Sequence, residues 1–207
     1  MTLQSFVNTC KRQGFARIPG VFSKDEVDTM RAEALLALTK NPQLEVRNGF
    51  PTIMYNPPSQ LLQSTQYDNR LLDIVRLYFG NDDITLETQQ WYFHLPGDPD
   101  EFAWHTDERF RPGVANLYLQ TAILIDDWTE DNSAVEFITG SHKKPFENTP
   151  ELRIFERRGL KGKKLLGKAG DVLTWSNTVV HGSERNVSKH PRAYYMHGFR
   201  GRNDSDC

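Results

Sequence analysis

Apolar residues recur at helical spacing twice in the first third of the chain. In the first stretch Val27, Met30, Ala34, Leu35 and Leu38 follow Ser23-Lys24-Asp25-Glu26. Ser23 as N-cap with Glu26 three residues on forms a capping box, and Asn41-Pro42 ends the run. In the second stretch Leu71, Leu72, Val75 and Tyr78 predict a helix over about 69–79, with Gly80 as its stop signal. Ahead of both, Phe15 to Val21 reads as a strand, placed at a sheet edge because Pro19 would interrupt a central ladder. Beyond Gly80 the pattern changes to short β-branched and aromatic runs between Gly, Pro, Asn and Asp clusters. These predict strands near 84–94, 102–107, 115–126, 134–138, 171–176 and 192–200. Helices first and many short strands afterwards imply a mainly β fold, a sandwich or barrel with supporting helices, rather than a parallel α/β sheet.

The length of 207 residues predicts one domain, with helical support over about 1–80 and the barrel over about 81–200. The 25 Lys and Arg against 27 Asp and Glu leave a net charge of −2. That balance excludes the basic excess of a phosphate-tracking nucleic-acid binder. The longest apolar run, Leu117 to Ile125, is far shorter than the ~20 residues a membrane helix needs. No basic segment followed by an apolar stretch opens the sequence, so no signal peptide is expected. Two cysteines, Cys10 and Cys207, are too few for a disulfide framework. Free thiols in a reducing cytoplasm are the simpler expectation than a staple between the ends of the chain.

Three segments carry chemistry. On a strand, His105 and Asp107 would present an imidazole and a carboxylate to the same face, with Thr106 turned away. Further on, Gly170-Asp171 opens an apolar strand that ends in His181-Gly182-Ser183. A distal histidine at a strand end is what a two-His-one-carboxylate iron site needs in addition to His-x-Asp. Each feature alone is common in proteins without metal. The third segment starts at Pro191 and predicts a strand with Arg192, Tyr194, Met196 and Gly198 on one face. An arginine aimed into a barrel needs an anion, from a protein carboxylate or from a bound dicarboxylate in bidentate geometry.

Taken together, His105-x-Asp107, His181 and Arg192 resemble the pattern of the phytanoyl-CoA dioxygenase-like branch of the Fe(II)/2-oxoglutarate-dependent oxygenases. Gly14-Phe15 to Val21 with Ser23-Lys24-Asp25-Glu26-Val27 resembles the family's opening strand and helix. Asn132 to Lys143 resembles its turn before a Pro-Gly-Ser-His segment, with Thr139 where Pro is usual. The resemblance runs from about residue 10 to 200. It implies a double-stranded β-helix (a jelly-roll, cupin-like barrel) with Fe(II) held by His105, Asp107 and His181 at its mouth. It also implies 2-oxoglutarate bound by Arg192 and Ser183, and O2 as the second co-substrate. Because Asp107 occupies the carboxylate position, hydroxylation is expected rather than halogenation, with release of succinate and CO2, while desaturation, epoxidation and ring closure stay open.

Tyr92 and Gln90, which share a face with Thr88, are further co-substrate candidates, and Arg109 and Arg111 are candidate substrate contacts. The cluster Arg157, Arg158, Lys161, Lys163, Lys164 and Lys168 reads as a solvated loop, with an anion-attracting lid as its alternative. His94, His142, His190 and His197 are given no ligand role. A small molecule, amino-acid-like or from specialised metabolism and anionic if the arginines contact it, is the expected substrate. Two competing classes remain: a cupin-like metal enzyme without 2-oxoglutarate, which Arg192 argues against, and a silent barrel kept as a binding module, which would be expected to have lost a ligand. The sequence leaves oligomeric state open.

Overall fold

The computed structural model describes residues 2–40, 46–47, 50–51, 53–97, 102–107, 117–143 and 162–201. In chain order the elements are α1 (Leu3–Gln13), β1 (Phe15–Ile18), α2 (Lys24–Lys40), β2 (Val46–Arg47), β3 (Phe50–Pro51), β4 (Ile53–Tyr55), α3 (Gln60–Ser64) and α4 (Asn69–Phe79). The barrel strands follow: β5 (Ile84–His94), β6 (Phe102–His105), β7 (Tyr118–Leu124), β8 (Glu136–Phe137), β9 (Lys163–Lys164), β10 (Val172–Ser176), β11 (His181–Ser183) and β12 (Arg192–Gly201). From β5 onward the chain passes back and forth between two antiparallel sheets, with β8 and β9 paired in succession in the smaller one. The larger has the order β1-β10-β7-β12-β5-β4 and the smaller β6-β11-β8-β9. This alternation is the jelly-roll winding, with β1 and β4 added at the two edges of the larger sheet.

The larger sheet is covered on both sides. Outward residues Trp91, Phe93, Ile123, Tyr195 and Phe199 pack with Val7, Val27, Met30, Leu71 and Ile74 from the helices. Inward residues Ala122, Leu124, Leu173, Trp175, Tyr194 and Met196 pack with Val135 and Phe137, which lie on or beside the smaller sheet. Double coverage explains why all seven residues of β7 are buried and why its sequence lacks a clean alternation.

The capping box is present: Glu26 N donates to Ser23 Oγ at 3.3 Å and Ser23 N to Glu26 Oε2 at 2.8 Å. Helix α4 has the predicted bounds and ends on Gly80 in the left-handed region, φ 81°. Two expectations need correction. On α2 the fully buried stripe is Val27, Met30, Ala34 and Ala37, whereas Leu35 is 50% exposed. Leu35 lies ~100° around the helix from Ala34 and so faces away from the sheet. The predicted strand 115–126 is also shorter, 118–124, and 134–138 contracts to 136–137; of the former, residues 115 and 116 fall outside the described residues. The strand at 15–21 is indeed at the sheet edge and stops at Ile18, before Pro19. Cys10 is a buried thiol 3.7 Å from Thr174 O, and Cys207 lies outside the described residues. Among the described residues no helix is long and apolar enough to cross a membrane.

On the helix-covered face, His197 is fully buried. Its Nε2 lies 2.7 Å from Thr65 Oγ1. That hydroxyl donates its own proton to Leu62 O, so Nε2 carries the imidazole proton and donates to Thr65. Burial pushes the His197 pKa down to about 3 from 6.5. The unfolded chain therefore takes up a proton that the folded chain refuses between these values. Stability from this group is complete above pH 6.5 and falls with pH, by up to about 1.4 kcal/mol per pH unit. Urea unfolding of His197→Gln, which keeps a donor towards Thr65, should show a pH dependence between 6.5 and 5 shallower than wild type by up to about that amount. Equal slopes would contradict the assignment.

Candidate metal centre

The strand β6 ends at His105, and β11 begins at His181. The two strands pair antiparallel with His105 opposite His181, so two histidines far apart in sequence meet with ring centroids 4.3 Å apart. Gly182 permits the approach. A Cβ there would lie 2.8 Å from Phe102 O and 3.2 Å from Trp104 N on β6. His181 Nδ1 is 3.0 Å from Val179 O, which assigns the ring proton to Nδ1 and leaves Nε2 as a lone pair facing Asp107.

Asp107 lies two residues beyond the end of β6, not on it. The expected strand over 102–107 is thus shorter than its pattern, and the shared face of His105 and Asp107 is made by a turn. The expected single strand leading into His181 is likewise two elements: β10 ends at Ser176 in the larger sheet, and the chain turns through 177–180 into β11 in the smaller. Asp107 Oδ1 lies 3.6 Å from His105 Nε2 and 3.7 Å from His181 Nε2. One ligand atom from each of the three residues lies within 4.8 Å of the others, and among the described residues this is the cluster that could hold a metal ion. Burial by itself would raise the Asp107 pKa. The neighbouring His181 and His105, with the Trp175 hydrogen bond, outweigh it and hold the carboxyl well below the usual carboxylate range. The site therefore offers an ionised oxygen and two imidazoles, the donor set suited to iron(II).

The three residues open onto a cavity of ~470 Å³, counting the space at its mouth, lined also by Tyr92, Phe102, Trp128, Phe137, Trp175, Ser183, Tyr194 and Met196. Ser183 is 1% exposed, and its Oγ has no hydrogen-bond partner among the described residues. Tyr92 stacks on Tyr194 at 4.6 Å and donates its hydroxyl proton to Gln90 Oε1 at 2.6 Å. Thr88, by contrast, is taken up by Tyr118 Oη at 2.9 Å. Arg192 is fully buried behind the lining, its guanidinium 4.7 Å from the Trp128 ring and 5.3 Å from that of Tyr194.

Arg109, Arg111, Arg157, Arg158 and Lys161 lie outside the described residues. Lys164 donates to Glu130 O and Lys168 pairs with Asp127 at 2.8 Å, while Lys163 is exposed on β9. His142 Nε2 meets Lys11 O at 3.0 Å, and His190 is exposed. His94 is buried opposite Arg192, and neither it nor His197 lines the cavity. The contacts that Trp175, Gln120 and Trp128 make were not anticipated. The signal for Gln120 was a polar residue inside the longest apolar run, and a buried polar side chain is the informative exception to hydrophobic interiors.

The model of the phytanoyl-CoA dioxygenase family matches residues 10–194. The chain belongs to that family. It is 26% identical over 90% of its length to a probable alpha-ketoglutarate-dependent hypophosphite dioxygenase of Stutzerimonas stutzeri, of which it covers 74%. It is 25% identical, again over 90% of its length, to the ectoine dioxygenase of Bordetella bronchiseptica, of which it covers 71%. The crystal structure of the epimerase SnoN with Fe3+, alpha-ketoglutarate and nogalamycin RO shares its fold, with TM-score 0.81 and 20% identity over 96% of this chain and 83% of that one. The expected jelly roll is the observed one, and the chain is a dioxygenase of the Fe(II)-, 2-oxoglutarate- and O2-dependent class.

Gly182→Ala should push β11 away from β6 and separate the two histidines. The expected outcome is divalent-metal affinity reduced about 10- to 100-fold, the range seen when the groups that position metal ligands are disturbed. Calorimetric titration of the folded variant with Co(II) measures it.

Proposed function

We propose that His105, Asp107 and His181 hold Fe(II), that Arg192 and Ser183 receive the distal carboxylate of 2-oxoglutarate, and that the enzyme hydroxylates a C–H bond of a small polar molecule. The observation that carries this reading is a two-His-one-carboxylate cluster sharing one cavity with Ser183 Oγ, a buried hydroxyl without a partner among the described residues. Buried hydroxyls are almost always hydrogen-bonded, so a ligand bearing an acceptor fits the position. Arg192, against Trp128 and Tyr194 of the same lining, supplies a permanent positive charge with the planar fork that suits a carboxylate.

When bound with O2, Fe(II) and 2-oxoglutarate supply an oxidant able to attack an unactivated C–H bond, leaving succinate and CO2. The chain's own part is to orient and to exclude water. The Val179 carbonyl aims the His181 ring, Phe137, Trp128 and Tyr194 make one wall of the cavity aromatic, and Gln90 fixes the Tyr92 hydroxyl at the cavity wall. The names of the relatives, for ectoine and for hypophosphite, support a small polar substrate. Arg109 and Arg111, which follow Asp107 in sequence, are the proposed contacts for an anionic group on it. A cytoplasmic location belongs to the same reading; the buried Cys10 thiol, whose pKa burial pushes up to about 12, is consistent with it.

Anaerobic titration of the purified protein with Fe(II) and 2-oxoglutarate should give a visible metal-to-ligand charge-transfer band that needs both components and is lost in His105→Ala. Ser183→Ala should weaken 2-oxoglutarate about 10-fold or more, the effect of losing one hydrogen bond to a charged group, and Arg192→Ala should weaken it further with iron binding kept. No band in folded, iron-loaded protein, or unchanged 2-oxoglutarate affinity in both variants, would overturn the assignment.

A further inference from the structure

Asp107 stands outside the β-ladder that fixes His105 and His181, so something other than sheet pairing must set its side chain. Two donors meet its outer oxygen. Trp175 Nε1 donates to Oδ2 at 2.9 Å, and Gln120 Nε2 reaches the same atom at 3.4 Å. Trp175 on β10 and Gln120 on β7 are direct cross-strand partners. Both strands belong to the larger sheet, while the histidines belong to the smaller. Asp107 is thereby split by function: Oδ2 is tied to one sheet, and Oδ1 is left facing the two imidazoles of the other.

We propose that Trp175 and Gln120 form a two-donor clamp that positions Asp107, leaving one carboxylate oxygen for the metal. Trp175 is the principal member because its bond is shorter and its ring packs beside the stacked rings of Phe137 and His181, with centroids 6.0 and 5.9 Å away. The clamp is a positioning device that acts through Asp107. It rests on the reading of His105, Asp107 and His181 as metal ligands, but says nothing of substrate.

The test is Co(II) binding to the wild-type full chain, followed by titration and by its visible absorption, and compared with Trp175→Phe and Gln120→Leu. Phe keeps an aromatic ring against Phe137 and His181 and removes the donor end. Loss of partners that orient metal ligands typically weakens binding 10- to 100-fold. About 10-fold weaker Co(II) binding is therefore expected for Trp175→Phe, with an altered d–d spectrum as the freed carboxylate changes its mode of ligation. Gln120→Leu should give a smaller loss in the same direction. Replacing Trp175 by benzothienylalanine, an isostere without the N–H, should reproduce the Phe result and so separates hydrogen bonding from packing. Wild-type protein that binds no Co(II) would overturn the metal-site reading and the clamp with it. Wild-type binding with unchanged affinity and spectrum in both Trp175 variants would overturn the clamp alone.

Discussion

The antiparallel pairing of β6 with β11 is the constraint on which the site depends. It sets His181 opposite His105 at a strand separation that only a glycine at 182 allows. A one-residue slip of either strand against the other would turn its imidazole to the opposite face of the sheet and part the pair. The alternating winding of the jelly roll supplies this neighbour relation, because it returns the chain to β6 only after β7 to β10 have been laid down. His105 and His181 therefore meet only through the pairing of strands that are not neighbours in sequence.

Much of this was legible in the sequence, for identifiable physical reasons. Helix α4 has a clear apolar face between Asp68 and Gly80, and both ends follow from capping chemistry. Strands β5 and β12 are long enough to express their alternation and were placed within a residue. The three residues of the candidate metal cluster are legible as residue types at a spacing. The mechanism first offered for their shared face, a continuous strand through Asp107 and another through His181, was not the one used. Turns do that work, and turns of two to four residues leave little periodicity to read. Leu35 was misplaced for the opposite reason: it is apolar where the helix geometry needs nothing, and hydrophobicity by itself is no proof of burial.

The partners of Asp107 and Arg192 were the least readable part. Trp175 and Trp128 look like ordinary core aromatics in sequence, and they are core residues, each with one polar or π contact that only three dimensions disclose. Family membership gives the class of chemistry, and the side chains that surround the ligands give this chain its own version of it.

The two sheets are unequal. The larger is packed on both faces, whereas the described strands of the smaller are two to four residues long. Short ladders open by local unfolding more readily than long covered ones, and amide hydrogen exchange reads this difference directly. Both histidines belong to the weaker sheet, and Asp107 is hydrogen-bonded to the stronger one. An ion held by all three is a staple between a rigid layer and a labile one. Its binding would add stability as RT ln(1 + [L]/Kd) to the closed arrangement only, so metal occupancy would set how often the smaller sheet breathes and would couple the enzyme's lifetime in solution to the supply of its cofactor.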